Sequence, residues 1–302
     1  MRILLTGAFN YNEKQLKTIE DLGAKVFFLQ QEKDELPLQA SEIDAIVCNG
    51  IFLYHKLEDF SSLKYIQLTS AGFDRVPLDE IKRKGIIINN ARGVYSIPMA
   101  EWALARILER YKHLTTFNGN QKQSVWVKDR NLREINGTLA AIVGAGNIGQ
   151  EVAKRLSAFG AHITGYDVFL GDRQYFEEVH HVDALRSEIQ KYDIVVLTAP
   201  LTDETKHMIS GNILDSMKKD AILVNIARGG LVDTSDLINV LRKRKDIYAA
   251  LDVFEEEPLP NSSPLWEMDN VAVSPHNSFV SNGNNERMFS VIFNNLKQYL
   301  NQ

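Results

Sequence analysis

The sequence predicts an α/β protein of two domains, each built on a parallel sheet, and three observations carry that expectation. The chain runs to 302 residues, longer than one hydrophobic core usually grows. Short runs rich in Ile, Val, Leu and Ala alternate with segments of helical periodicity, the pattern of repeated βαβ units. One strand-to-helix turn, Gly144-Ala145-Gly146-Asn147-Ile148-Gly149, is glycine-rich, as a tight approach of strand and helix requires.

In the first domain, strands are expected at Ile3–Leu5, Lys25–Leu29, Ala45–Cys48, Tyr65–Leu68 and Ile86–Ile88. Residues 13–22 place Leu16, Ile19 and Leu22 at helical spacing before Gly23, a helix stop. A longer helix is expected from Pro98 to Leu114, with Ala100, Ala103, Leu104, Ile107, Leu108 and Tyr111 along one side, and it reads as an inter-domain helix. A polar segment from Asn118 to Asn136 leads to a second series of strands. These are Ala140–Val143, Ile163–Tyr166, Ile194–Thr198, Ile222–Ile226, Tyr248–Asp252 and Val271–Ser274. No fixed-period repeat and no low-complexity tract interrupts them.

Composition excludes several function classes. Apolar residues at 44% and charged residues at 24% describe an ordinary globular chain with a sizeable core. A net charge of −5 with no cluster of Lys and Arg leaves no footprint for nucleic acid. No run of about 18 apolar residues occurs, and the apolar stretch after Met1 is too short for a signal peptide, so no membrane association is expected. The single cysteine, Cys48, cannot form an internal disulfide and reads as a buried strand end, consistent with a cytoplasmic location. His180 and His181 are adjacent and point apart, and no Cys/His cluster exists, so no catalytic metal is expected.

The glycine-rich turn has both flanks that a dinucleotide site needs: the strand Ala140–Val143 before it and a helix, Glu151 to Phe159, after it. Gly144 permits the turn, Gly146 lets backbone approach a pyrophosphate, and Gly149 lets helix and strand pack closely. Amides at the helix start then hold the anion. Asp167 ends the next strand, where a carboxylate accepts from the adenosine ribose and opposes a 2′-phosphate. NAD is the expected cofactor, although Arg173 lies nearby.

Arg228, Glu257 and His276 each follow a predicted strand of the second domain, and the carboxyl ends of parallel strands form a common rim. Their chemistry is complementary. A guanidinium matches a carboxylate and polarises a carbonyl, an imidazole carries a transferable proton, and a carboxylate orients the imidazole in its charged form. Gly229 and Gly230 read as leaving room beside Arg228. Each residue also has an ordinary structural alternative: Arg228 as a surface ion pair, Glu257 as part of the solvated run Glu255-Glu256-Glu257, His276 as a turn residue. The joint pattern beside a dinucleotide motif favours hydride transfer to a 2-keto acid. No Gly-x-Ser-x-Gly elbow supports a hydrolase instead.

These residues lie in segments that together resemble the D-2-hydroxyacid dehydrogenase family over most of the chain. The matching stretches are Thr69-Ser70-Ala71-Gly72-Phe73-Asp74, Gly85-Ile86, Ala100-Glu101, the Gly144–Gly149 turn and Pro200-Leu201-Thr202-Asp203-Glu204-Thr205. Asn225-Ile226-Ala227-Arg228-Gly229-Gly230, Asp252-Val253-Phe254 through Glu257-Pro258-Leu259-Pro260, and Ser274-Pro275-His276 complete them. The resemblance implies a flavodoxin-like substrate domain at 1–94, completed by a C-terminal helix within 282–302 (Glu286 to Tyr299), and an NAD-binding Rossmann domain at 95–281, with a cleft between them. It implies a catalytic Arg228–Glu257–His276 set and a substrate carboxylate held by backbone around Ser70, Ala71 and Gly72. Cofactor contacts are implied for Gly144, Gly146, Asn147, Ile148, Gly149, Asp167, Ala199, Pro200, Thr205, Ile226, Ala227 and Asp252. A homodimer through the nucleotide domains is the implied assembly.

The chain departs from the family where Cys48-Asn49-Gly50 replaces an Arg-Ser pair, which leaves substrate contacts from that loop open. Arg92 stands where proline is common; it reads as a surface charge, the alternative being an extra cation near the cleft that favours a phosphorylated or dicarboxylic substrate. No appended regulatory domain, and so no feedback by an amino acid, is expected at this length. Two other functions fit the scaffold: a formate dehydrogenase-like enzyme, against which the acidic Glu257 argues, and an NAD(H)-sensing interaction protein, against which the retention of all three polar residues argues.

Overall fold

The computed structural model describes residues 1–301; Gln302, the end of the expected C-terminal segment, lies outside the described residues. Two compact units form, one from Met1–Tyr95 with the chain from Ser281 on, the other from Ser96–Val280.

The first unit contains β1 (Arg2–Thr6), α1 (Glu13–Glu20), β2 (Lys25–Leu29), β3 (Ala45–Cys48), β4 (Tyr65–Leu68), α2 (Leu78–Arg83) and β5 (Ile87–Asn89). All strands pair in parallel, in the order β2-β1-β3-β4-β5, the flavodoxin-like arrangement. Both faces must then be covered, which explains strands without polar alternation. Ile3, Leu5, Ala45, Val47 and Tyr65 pack with Ile19 of α1 and with Met288, Ile292 and Leu296 of the C-terminal helix Asn284–Leu300. Leu4, Ile46, Cys48, Ile66 and Leu68 pack with Ile81 of α2 on the other side. Full burial of each such Leu or Ile stabilises by about 1.5–3 kcal/mol. Asn12 caps α1 through a reciprocal bond pair with Gln15, and Tyr65 stacks on Tyr299 of the C-terminal helix, ring centroids 4.6 Å apart. Cys48 has no exposed surface; burial, and then the nearby Glu32 carboxylate, push its thiol far above the ordinary range.

The second unit opens with α3 (Ser96–Tyr111) and α4 (Leu114–Lys122). Then come β6 (Leu139–Val143), α5 (Asn147–Ala158), β7 (His162–Asp167), β8 (Glu178–His181), α6 (Leu185–Glu188), β9 (Ile194–Leu197) and α7 (Gly211–Asp215). The unit closes with β10 (Ile222–Asn225), α8 (Thr234–Lys243), β11 (Tyr248–Leu251) and β12 (Val271–Val273). Its seven strands are parallel and run β12-β11-β10-β9-β6-β7-β8. Strand order reverses between β6 and β9, the doubly wound arrangement whose switch point takes dinucleotides. The fold is thus two parallel-sheet Rossmann-like units.

Four elements differ from the sequence reading. β8 was not anticipated: Glu-Val-His-His has one apolar residue, and only pairing with β7, from Thr164↔Glu178 to Asp167↔His181, makes it a strand. Helix α4 was not anticipated; it covers the start of the polar segment from Asn118 and continues to Lys122. Helix α5 starts at Asn147, ahead of Glu151, because Gly146 is its N-cap and the motif itself supplies the first turn. The helix α3, read as lying between domains, belongs wholly to the second unit and packs against α5. Among the described residues, no helix is long and apolar enough to cross a membrane.

Candidate active site

Each motif glycine has a distinct reason to be there. Gly144 has φ +97°, and a Cβ on it would stand 2.6 Å from the Ala199 nitrogen, so the ends of β6 and β9 meet only over a glycine. A Cβ on Gly149 would stand 2.1 Å from the Gly144 carbonyl oxygen, which explains the close seat of α5 on β6. Gly146 is different. Its Cβ position faces open space with nothing within 4 Å, beside the α5 N-terminus, where unpaired amides gather. That opening fits a phosphate drawn close to backbone. Asp167 completes the turn from the neighbouring strand: Oδ2 accepts from Ala145 N at 2.8 Å and Oδ1 from Phe169 N at 3.0 Å. The carboxylate is half-buried, at the edge of this opening.

The residues that follow β9 and β10 are less accessible. Thr205 is 8% exposed and ties its own loop, donating to the Pro200 carbonyl at 2.8 Å and accepting from Thr202 N at 2.7 Å. Ile226 and Ala227 are buried and Pro200 is exposed.

Arg228, Glu257 and His276 follow β10, β11 and β12, three neighbouring strands. His276 Nδ1 and Glu257 Oε2 are 2.7 Å apart, and the other Glu257 oxygen, Oε1, accepts from Phe254 N at 2.9 Å. The carboxylate is thereby aimed, and the imidazole presents Nε2 away from it. The His276 backbone is left-handed, φ +50°, a conformation that persists only where neighbours enforce it. Its amide donates to the Asp252 carbonyl at 2.8 Å. The Asp252 side chain receives Asn277 N at 2.8 Å, Ser278 N at 2.9 Å and the Ser274 hydroxyl. Asp252 has no exposed surface, and its carboxylate anchors the histidine loop.

The arginine loop is built in a similar way. Asn225 Nδ2 donates to the Arg228 carbonyl at 3.0 Å and Asn225 Oδ1 accepts from Ala227 N at 3.1 Å, while Arg228 is half-buried and donates to the Ala227 carbonyl at 2.7 Å. The space beside it is not vacant, contrary to the sequence reading. A Cβ on Gly229 would lie 1.9 Å from the Phe254 carbonyl carbon, and one on Gly230 would meet Leu201 at 3.0 Å. The backbone leading to Glu257 thus lies against Gly229. His207 adds a brace: its Nε2 is 2.6 Å from Glu255 Oε1, and Glu255 Oε2 accepts from Thr234 N at 2.8 Å. Burial acts to raise the Glu255 pKa, but hydrogen bonds from Thr234 and His207 hold it below the ordinary range. Asn225, Asp252 and His207 were missed as positioning groups; for Asn225 and Asp252 the sequence offers a short polar side chain at a strand end, and for His207 it offers no such signal.

In the first unit, the loop after β4 has its carbonyls engaged. Thr69 O accepts from the Tyr95 hydroxyl at 2.6 Å, Ser70 O from Ala91 N at 2.9 Å, Ala71 O from Asn90 Nδ2 at 2.6 Å and Gly72 O from the Ser70 hydroxyl at 2.9 Å. Among the described residues, the amides of Ser70, Ala71 and Gly72 meet no protein acceptor. A strand end with open amides is a seat for an anion.

Residues 104–278 match the model of the D-isomer specific 2-hydroxyacid dehydrogenase family, NAD binding domain. The chain belongs to this family. Family membership makes it an oxidoreductase, with a nicotinamide-dinucleotide domain in the second unit. It is 34% identical over 281 residues to a D-3-phosphoglycerate dehydrogenase of Methanocaldococcus jannaschii, covering 91% of this chain and 53% of that one, so it spans about half of that relative's length. It is 32% identical to a glyoxylate reductase of Pyrococcus horikoshii, covering 94% of this chain and 89% of that one. A solved family member from Aeromonas salmonicida superposes with a TM-score of 0.85 at 28% identity, covering 99% of this chain and 95% of that chain.

Proposed function

We propose that the protein interconverts a small 2-keto acid and the D-2-hydroxy acid with NAD(H). The observation that carries this reading is the 2.7 Å bond between His276 and Glu257, on the rim next to Arg228 and in the same unit as the dinucleotide turn. Bound nicotinamide supplies or accepts the hydride at C2. In the reductive direction His276, engaged by Glu257 through Nδ1, gives the proton on Nε2 to the carbonyl oxygen and ends neutral; oxidation returns it. Arg228 pairs with the substrate carboxylate and polarises the carbonyl. The open amides of Ser70, Ala71 and Gly72 are a carboxylate seat within the first unit. In this reading the cofactor lies along Gly144, Gly146, Asn147, Ile148, Gly149 and Asp167, with Ala199, Pro200, Thr205, Ile226 and Ala227 bordering it.

The test is NADH oxidation with glyoxylate, hydroxypyruvate, pyruvate and longer 2-keto acids, read from nicotinamide absorbance. Turnover of at least one is expected; silence across the panel would favour the NAD(H)-sensing alternative. NAD is preferred over NADP because Asp167 places a carboxylate where a 2′-phosphate would sit. Asp167→Ala is expected to narrow the NADH-over-NADPH preference in kcat/KM by about tenfold, about 1.4 kcal/mol; an unchanged ratio refutes the assignment. A homodimer joined through the second unit is part of the same reading, supported by the exposed run Val125-Trp126-Val127, in which Trp126 is 94% exposed. A cytoplasmic setting accords with the single buried thiol of Cys48.

A further inference from the structure

Ligands of open parallel sheets bind outside the strand carboxyl ends at the point where strand order reverses. In the first unit that point lies between β1 and β3, and the chain's own carboxylate is there. Glu32, in the segment after β2, accepts the Thr6 hydroxyl at 2.8 Å and Asn49 N at 2.6 Å on Oε1, and Gly50 N at 2.7 Å on Oε2. Thr6 ends β1, and Asn49 and Gly50 directly follow β3. The amide pair that would otherwise cradle an anion at the switch point is therefore taken by a fixed negative charge. The neighbouring seat after β4 is the reverse, with the amides of Ser70, Ala71 and Gly72 open. Beside Glu32, Asn49 Oδ1 is a buried acceptor with no donor among the described residues, and such atoms call for a partner.

We infer that Glu32 is a specificity-determining residue that limits the substrate to one anionic group, its carboxylate, and selects a neutral hydrogen-bond donor such as a hydroxyl at the far end. The inference rests on the reductase reading above. Strands β3 and β4 are paired neighbours, Cys48 opposite Leu68, so their ends stand about 4.8 Å apart. A carboxylate seated on the Ser70–Gly72 amides would leave Asn49 and Glu32 within reach of the third carbon of a short keto acid. A hydroxyl there donates to the Glu32 carboxylate, whereas a phosphate or second carboxylate meets like charge with the amides already filled. The Arg75 stem passes Gly50, its Cδ 3.4 Å from where a Cβ would stand.

The experiment compares kcat/KM for hydroxypyruvate and 3-phosphohydroxypyruvate with NADH, in the wild type and in Glu32→Gln. The wild type is expected to favour hydroxypyruvate, and Glu32→Gln to shift the ratio toward the phosphorylated acid by about tenfold or more. An unchanged ratio in an active variant overturns the inference. Should Glu32→Gln not fold, the wild type decides through calorimetric titration of its NADH complex, a non-reacting pair, with glycerate and with 3-phosphoglycerate. Tighter binding of glycerate supports the role of Glu32; equal or tighter binding of 3-phosphoglycerate, or no binding of glycerate, overturns it. The same titration applies if the wild type reduces neither keto acid; the reductase reading is then decided separately by the wider 2-keto acid panel, and the charge of the crevice is still measured.

Discussion

His276→Asn is expected to lower kcat by about 10²–10⁴-fold, the usual contribution of a positioned proton donor, while NADH affinity stays nearly intact. Asparagine is chosen because the His276 backbone is left-handed, φ +50°. Asparagine tolerates that conformation, whereas alanine would pay about 1–2 kcal/mol of strain. The Asp252 bonds to Ser274, Asn277 and Ser278 do not involve the imidazole and survive the change. The dinucleotide turn at Gly144–Gly149 belongs to a different strand end, so fluorescence titration with NADH should report a wild-type site. Weakened NADH binding with turnover unchanged would remove the imidazole from the chemistry.

Arg228→Ala is expected to raise KM for the keto acid and to lower kcat together, the latter by about 10²–10³-fold, as when an electrostatic stabiliser of the developing alkoxide is lost. Both parameters should move because the guanidinium is assigned to carboxylate binding and to carbonyl polarisation. The loop itself should persist, since Asn225 holds the backbone carbonyl of residue 228 and the amide of Ala227. Arg228→Lys should recover only part of the loss, because an ammonium cannot present a planar fork to a carboxylate. Steady-state kinetics of both variants check this, and wild-type constants in Arg228→Ala would exclude it from the site.

Much of the architecture is legible in the residues because parallel strands buried on both faces must be continuously apolar. Ile3–Leu5, Ala45–Cys48 and Ile222–Asn225 leave little choice of structure. The β8 segment was illegible for the converse reason: Glu178, His180 and His181 become a strand only through partners fourteen residues earlier. The polar residues on the rim could be picked out because acid–base and anion chemistry draw on few side-chain types. Their supports could not. Nothing local in the sequence distinguishes Asp252, which folds the histidine loop onto itself, from an aspartate in a solvated turn; only its burial and its bonds to three residues over twenty positions away separate the two. Glu32 is a comparable case, since its partners Thr6, Asn49 and Gly50 come from two other strand ends.

The contact between Gly229 and the Phe254–Glu255 backbone has a mechanical consequence. Two loops from separate strands are butted together with no side chain as a spacer, so a displacement of either is handed to the other with little slack. Guanidinium and carboxylate are then hitched to one another by main chain, and the precision of their spacing depends on a residue that carries no functional group at all.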